Sequence, residues 1–181
     1  YLNIQYLCYR FYCLIMKKNF TKSESLEYIL KKKIFSNAIP KFFYFTKKDY
    51  NSNKNYYLNK ISKTFNSSII IRSSAKNEDR LQSSNAGKYD SIIINKINNT
   101  EVDLAINKII KKYKFKQDQI LVQKFIQQPD LSGVLFTKTK KTNSHYYEIS
   151  YDTSKRSDLI TSGKFNTSLK LAASFVLDLD F

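Results

Sequence analysis

Glycine and proline are scarce in this chain. Three glycines and two prolines in 181 residues exclude collagen-like repeats and flexible Gly-rich linkers. Two cysteines, Cys8 and Cys13, can build neither a disulfide framework nor a four-thiolate zinc site. They are expected to be free thiols in a reducing compartment, the cytoplasm. No apolar run reaches the roughly 20 residues that a membrane span needs, because residues 1–15 are interrupted by Asn3, Gln5 and Arg10. A secretory signal is disfavoured as well, since Lys17 and Lys18 follow the apolar stretch instead of preceding it. Met16 before Lys-Lys-Asn reads as an initiator, which makes residues 1–16 an extension or upstream translated segment.

Acidic residues are also few, 15 against 31 basic, for a net charge of +16. Such a balance points to a polyanion partner. A second cause competes with it: 27 of the cations are Lys and 4 are Arg, and Lys, Asn, Ile and Tyr together make 77 of 181 residues. Those four share A/T-rich codons, and the lysines are scattered along the chain instead of gathered in one arm. Zinc-finger spacings and aromatic RNA-binding signatures are absent, which argues against a dedicated nucleic-acid module.

What is present is ample core material, 42% hydrophobic and 15% aromatic, enough for one domain or two small lobes. Thr21 with Glu24 three residues later is a capping box, and Leu26, Ile29, Leu30 and Ile34 continue it as an amphipathic helix over 22–35. Pro40 ends that segment. Residues 42–45 read as a strand, 47–64 as a second helix, 68–72 as a buried β-branched strand and 91–94 as another strand. Val102, Ala105, Ile106, Ile109 and Ile110 give helical spacing over 101–113. Strands follow at 120–126, 133–137 and 146–150. The expectation is an α+β chain with an N-terminal lobe over 17–115 and a strand-rich lobe over 116–181.

The segment Ile69-Ile-Ile-Arg-Ser-Ser-Ala-Lys-Asn-Glu-Asp79 carries the strongest local chemistry. A strand that delivers Arg72 into a loop of small hydroxyl residues makes an anion site, with phosphate as the obvious guest. The competing reading pairs Arg72 with Glu78 or Asp79 as a structural staple. Lys22 at a helix start and Glu148 on an alternating strand can each equally be a solvated surface residue.

The same segment, continued through Ser84-Asn-Ala-Gly-Lys-Tyr-Asp-Ser91, closely resembles the pattern V-R-S-S-A-x-x-E-D-x-x-x-x-S-x-A-G-x-Y-x-S of the phosphoenolpyruvate synthase and pyruvate phosphate dikinase family. It matches at Arg72, Ser73, Ser74, Ala75, Glu78, Asp79, Ser84, Ala86, Gly87, Tyr89 and Ser91. A second family segment, V-Q-x-M-V followed by S-G-V-L-F-T, is similar to Val122–Ile126 and Ser132–Thr137, in the same order. Lys22 and Leu26 resemble the Lys and Leu of the family's G-G-K-x-x-x-L, with Phe20 and Thr21 in place of the glycines.

The resemblance implies a two-lobed ATP-grasp domain, incomplete at its C-terminus, that binds ATP and Mg²⁺ for phosphoryl transfer. It makes Lys22 and Arg72 the phosphate-contacting and catalytic candidates, with Ser73, Ser74, Glu78 and Asp79 around the same nucleotide. It also places Gln123 beside the adenine and makes Glu148 the first metal-ligand candidate, with Asp158 near the position of the second. Two stretches depart from the family: residues 151–158 lack Gly-Leu-Gly-Glu, and Lys140-Lys-Thr replaces Pro-x-Thr-Gly. The phosphohistidine and pyruvate-binding domains are not encoded here, and His145, the single histidine, has no Thr-x-His context. The resemblance therefore implies a separate chain bearing those domains as a partner. Two alternatives stand beside it: a degenerate, non-catalytic ATP-grasp remnant, and a basic polyanion-binding module.

Overall fold

The computed structural model describes residues 20–32, 39–76, 91–136, 144, 146–155 and 168–172. Glu78, Asp79, His145 and Asp158, together with residues 1–16, lie outside the described residues. Eleven elements are described, in two units that divide between Ile126 and Gln127. The division follows from strand pairing. Residues 116–126, expected in the strand-rich lobe, carry β4 (Gln119–Lys124), which sits inside the first unit's sheet between β1 (Phe42–Thr46) and β2 (Ile69–Ser74).

That sheet has the order β1-β4-β2-β3, with β3 at Ser91–Ile94, and every neighbouring pair is antiparallel. Alternation along the strands sends Phe43, Phe45, Ile69, Ile71, Ile120, Val122 and Ile94 to one face. Against this face pack α2 (Lys47–Ser52), α3 (Lys54–Thr64) and α4 (Asn99–Ile110), which contribute Tyr50, Leu58, Ile61, Val102, Ile106 and Ile109. Ile61, Ile69, Ile71, Ile106 and Ile120 are completely buried. Each such side chain is worth about 1.5–3 kcal/mol relative to exposure, so this layer holds the unit together.

Local signals explain where the helices begin. Thr21 caps α1 (Lys22–Lys31): its hydroxyl accepts the Glu24 N–H at 3.2 Å, and the Glu24 carboxylate accepts the Thr21 N–H at 2.9 Å. A second capping box, Thr46 with Asp49, opens α2 directly out of β1. The expected helix over 47–64 is thus two helices. Asn53, at φ −140° and ψ 50°, lies outside helical geometry and separates them. No helix among the described residues is long and apolar enough to cross a membrane.

The second unit is a three-stranded antiparallel meander of β5 (Ser132–Phe136), β6 (Tyr146–Asp152) and β7 (Ser168–Ala172). Gly133 sits where a Cβ would lie 2.7 Å from the Ser150 carbonyl oxygen, so this register admits no side chain there. Asp152 is buried at the end of β6, and its carboxylate accepts from the Ser154 N–H at 3.1 Å and the Ser154 hydroxyl at 2.6 Å. The two antiparallel sheets with flanking helices in the first unit make the chain α+β.

Candidate functional site

The face of the four-stranded sheet opposite the aliphatic core is built differently. Alternation places Tyr44 on β1, Gln119, Leu121 and Gln123 on β4, and Ile70, Arg72 and Ser74 on β2 together on this side. Arg72 stands opposite Leu121, Ser74 opposite Gln119, and Ile70 opposite Gln123, which makes Gln123 the diagonal neighbour of Arg72. Ser73 alternates to the other face and is buried there. The Ser73 side chain is therefore not brought together with Arg72, whereas Ser74 is.

Arg72 is half-buried, and its Nε is wholly enclosed with no hydrogen-bond partner among the described residues. An enclosed guanidinium N–H without an acceptor is costly.

Helix α1 lies over the same face, and it docks through polar groups. The Ser23 N–H donates to Ser74 Oγ at 2.9 Å. The Thr21 hydroxyl donates to Gln119 Oε1 at 2.7 Å, and Gln119 Nε2 donates to the Glu24 carboxylate at 3.0 Å. One turn on, the Tyr44 hydroxyl donates to Glu27 at 2.6 Å. Burial, and next the hydrogen bond to Glu27, push the Tyr44 hydroxyl up to about 12. The Tyr44 hydrogen bond in turn holds the Glu27 carboxyl below its usual range, with Lys31 assisting at 2.9 Å. Beneath the seam, the Tyr113 hydroxyl accepts from the Ser74 N–H at 3.3 Å and donates to the Gln119 carbonyl.

This seam fixes Lys22, the first residue of α1, beside Ser23 and hence near Ser74, one alternation step along β2 from Arg72. The amides of the first turn are already engaged: Ser23 with Ser74, Glu24 with the Thr21 hydroxyl, and Ser25 with the Thr21 carbonyl at 2.9 Å. Those three amides are therefore not available to a ligand on this face. Ser23 is completely buried, and its Oγ has no partner among the described residues. Ser74 accepts through its oxygen and keeps a hydroxyl hydrogen to donate.

Glu148 is on β6 of the second unit, half-buried, opposite Phe136 on one side and Lys170 on the other. Among the described residues no group of three His, Cys, Asp or Glu side chains is assembled for a metal ion. Glu148 alone still fits Mg²⁺, which takes one or two carboxylates and completes its shell with phosphate oxygens and water. Asp152, two strand repeats away on the same face, has both carboxylate oxygens engaged by Ser154.

Sequence reasoning did not single out Gln119, Tyr113 or Tyr44. The available signal was Gln119 itself, an amide placed directly before the apolar run Ile-Leu-Val of β4. No family model matches the chain, and no curated protein sequence matches it.

Proposed function

We propose that this chain is the ATP-binding domain of a phosphotransferase of the phosphoenolpyruvate synthase and pyruvate phosphate dikinase type, with an ATP-grasp fold. The observation that carries the reading is Arg72: a half-buried guanidinium, its Nε without a hydrogen-bond partner among the described residues, on a sheet face shared with Ser74 and Gln123 and overlaid by the helix that starts at Lys22. Phosphoryl transfer is largely positioning and charge neutralisation, and a fork-shaped guanidinium with an ammonium suits a triphosphate. In this reading Arg72 and Lys22 hold phosphate oxygens, Ser74 seats the helix that carries Lys22, and Gln123 borders the adenine. By the resemblance, Glu148 and Asp158 would hold Mg²⁺, whose chemistry would be neutralisation of phosphate charge. Glu78 and Asp79 join the surroundings of the nucleotide in this reading, whereas the Ser73 side chain, on the core face, does not. Phosphohistidine and pyruvate-binding domains would complete the reaction.

The remnant reading draws on a specific observation of its own. Phe20 and Thr21 stand where the resembling family has glycines, and the first-turn amides of α1 are engaged internally. Isothermal titration of the chain with ATP, with and without Mg²⁺, beside Arg72→Ala and Lys22→Ala separates the two. Binding that weakens in both variants supports the active domain. A folded wild-type chain that takes up no heat with Mg-ATP refutes it.

A further inference from the structure

Two of the three contacts at the start of α1 pass through one side chain. Gln119 accepts from the Thr21 hydroxyl at 2.7 Å and donates to the Glu24 carboxylate at 3.0 Å, so it grips both halves of the capping box at once. All three groups are withdrawn from solvent: Thr21 is 2% and Gln119 7% exposed, and the Glu24 contact is partly buried. The Gln119 backbone is held in turn, because its carbonyl accepts from the Tyr113 hydroxyl, which also receives the Ser74 N–H. Ser74 on β2 and residues 21 and 24 on either side of Lys22 are thus tied to one residue, Ser74 through Tyr113 to the Gln119 carbonyl and Thr21 and Glu24 to the Gln119 side chain.

We propose that Gln119 is a positioning residue for the nucleotide face. It clamps the first turn of α1 onto β4 and β2, and so sets where Lys22 stands relative to Arg72. The proposal rests on the ATP-binding reading above and extends it to a residue that carries no charge and touches no phosphate. Its physical basis is the polarity of the seam. Helix α4 is seated by fully buried Val102 and Ile106, whereas the start of α1 is seated by directional bonds. Apolar contacts tolerate sliding; a side-chain amide bonded at both ends does not. A lysine one residue from the cap moves with the cap.

The test is a double-mutant cycle on Mg-ATP affinity with Gln119→Leu and Lys22→Ala, read by isothermal titration of the full chain. Hydrogen exchange of the Ser23, Glu24 and Ser25 amides is measured in parallel. If Gln119 acts through Lys22, Gln119→Leu weakens binding about tenfold in the wild-type background, the scale of one or two lost hydrogen bonds. In the Lys22→Ala background it has no further effect. Equal losses in both backgrounds, or no loss in either, overturn the proposal. Should Gln119→Leu fail to fold, Gln119→Glu replaces it, since that side chain still accepts from Thr21 but offers Glu24 no hydrogen. A wild-type chain that binds no Mg-ATP defeats the functional reading, and the clamp is then judged by exchange alone. Faster exchange at Ser23, Glu24 and Ser25 with unchanged protection at Ile71 and Ile120 upholds it; unchanged exchange at all five overturns it.

Discussion

The backbone N–H of Ser23 donates to the hydroxyl oxygen of Ser74 at 2.9 Å, tying the second residue of a helix to the last residue of a strand 51 positions along the chain. Both residues are completely buried. Ser74→Ala leaves the Ser23 amide enclosed without an acceptor. It is expected to cost about 1–3 kcal/mol of unfolding free energy. Ser67→Ala, at an exposed position before β2, is expected to stay within about 0.5 kcal/mol. Urea denaturation of the two variants beside wild type checks the difference.

Asp103 collects the polar ends of the core layer. Its carboxylate accepts from the Tyr50 hydroxyl at 2.8 Å, from Asn107 at 2.8 Å and from Lys54 at 2.6 Å. Burial works to raise its pKa, but the hydrogen bonds from Lys54 and Tyr50 outweigh this and hold the carboxyl below its ordinary value. A carboxyl lowered by folding stabilises the native state above the unfolded pKa, and that contribution is lost as pH falls through the folded pKa. Asp103→Ala removes this part of the acid sensitivity. It also strands the hydroxyl of Tyr50, which is only 1% exposed. The expected result is a loss of about 2–3 kcal/mol at neutral pH, with a shallower fall in stability below the carboxylate range, where Asp49 and Glu27 continue to titrate. Denaturation midpoints measured from pH 7 down to acid give both quantities.

Gly133 faces the backbone of β6. A methyl group there meets the Ser150 carbonyl oxygen at 2.7 Å, and backbone cannot swing aside as a side chain can. Gly133→Ala is expected to force β5 away from β6 at a cost of about 1–3 kcal/mol. Amide exchange should quicken at Val134, Leu135, Ile149 and Ser150 while Ile71, Ile106 and Ile120 keep their protection. Loss of protection in both units would contradict a strain local to the second sheet.

Local signals made much of the fold legible. The Thr21–Glu24 box fixed the start of α1, the Ile-rich run fixed β2, and β3 lies at Ser91–Ile94 as expected. The spacing of Val102, Ala105, Ile106, Ile109 and Ile110 gave α4, which runs Asn99–Ile110 against an expected 101–113. What was missed depends on distant partners or on a competing local choice. The Thr46–Asp49 cap marks the start of the expected helix, but Asn53 opens the second helix with no side-chain cap bond, so the break there was hidden. Ser168–Ala172 carries no run of β-branched residues like Ile69–Ile71 or Ile92–Ile94, and its pairing with β6 is what makes it a strand. The boundary between units moved because β4 inserts between β1 and β2, a non-local event that composition does not record.

At the site, Arg72, Ser74, Gln123 and Lys22 were named from sequence and gather about one sheet face. The period of two along β2 separates Ser73 from its neighbours, an outcome available from strand geometry once the strand was extended through Ser74. Gln119 was invisible for a different reason: its importance lies in two side chains 98 and 95 residues away.

The central claim is that Mg-ATP is held on the polar face of the first unit by Arg72 and Lys22. The most direct measurement is an amide-nitrogen NMR titration of the chain with Mg-ATP, repeated on Arg72→Ala. The account expects saturable shifts confined to residues 21–25, 72–75 and 121–124, and largely absent from the variant. Shifts scattered over the exposed lysines, equal in wild type and variant and matched by inorganic polyphosphate, would contradict it.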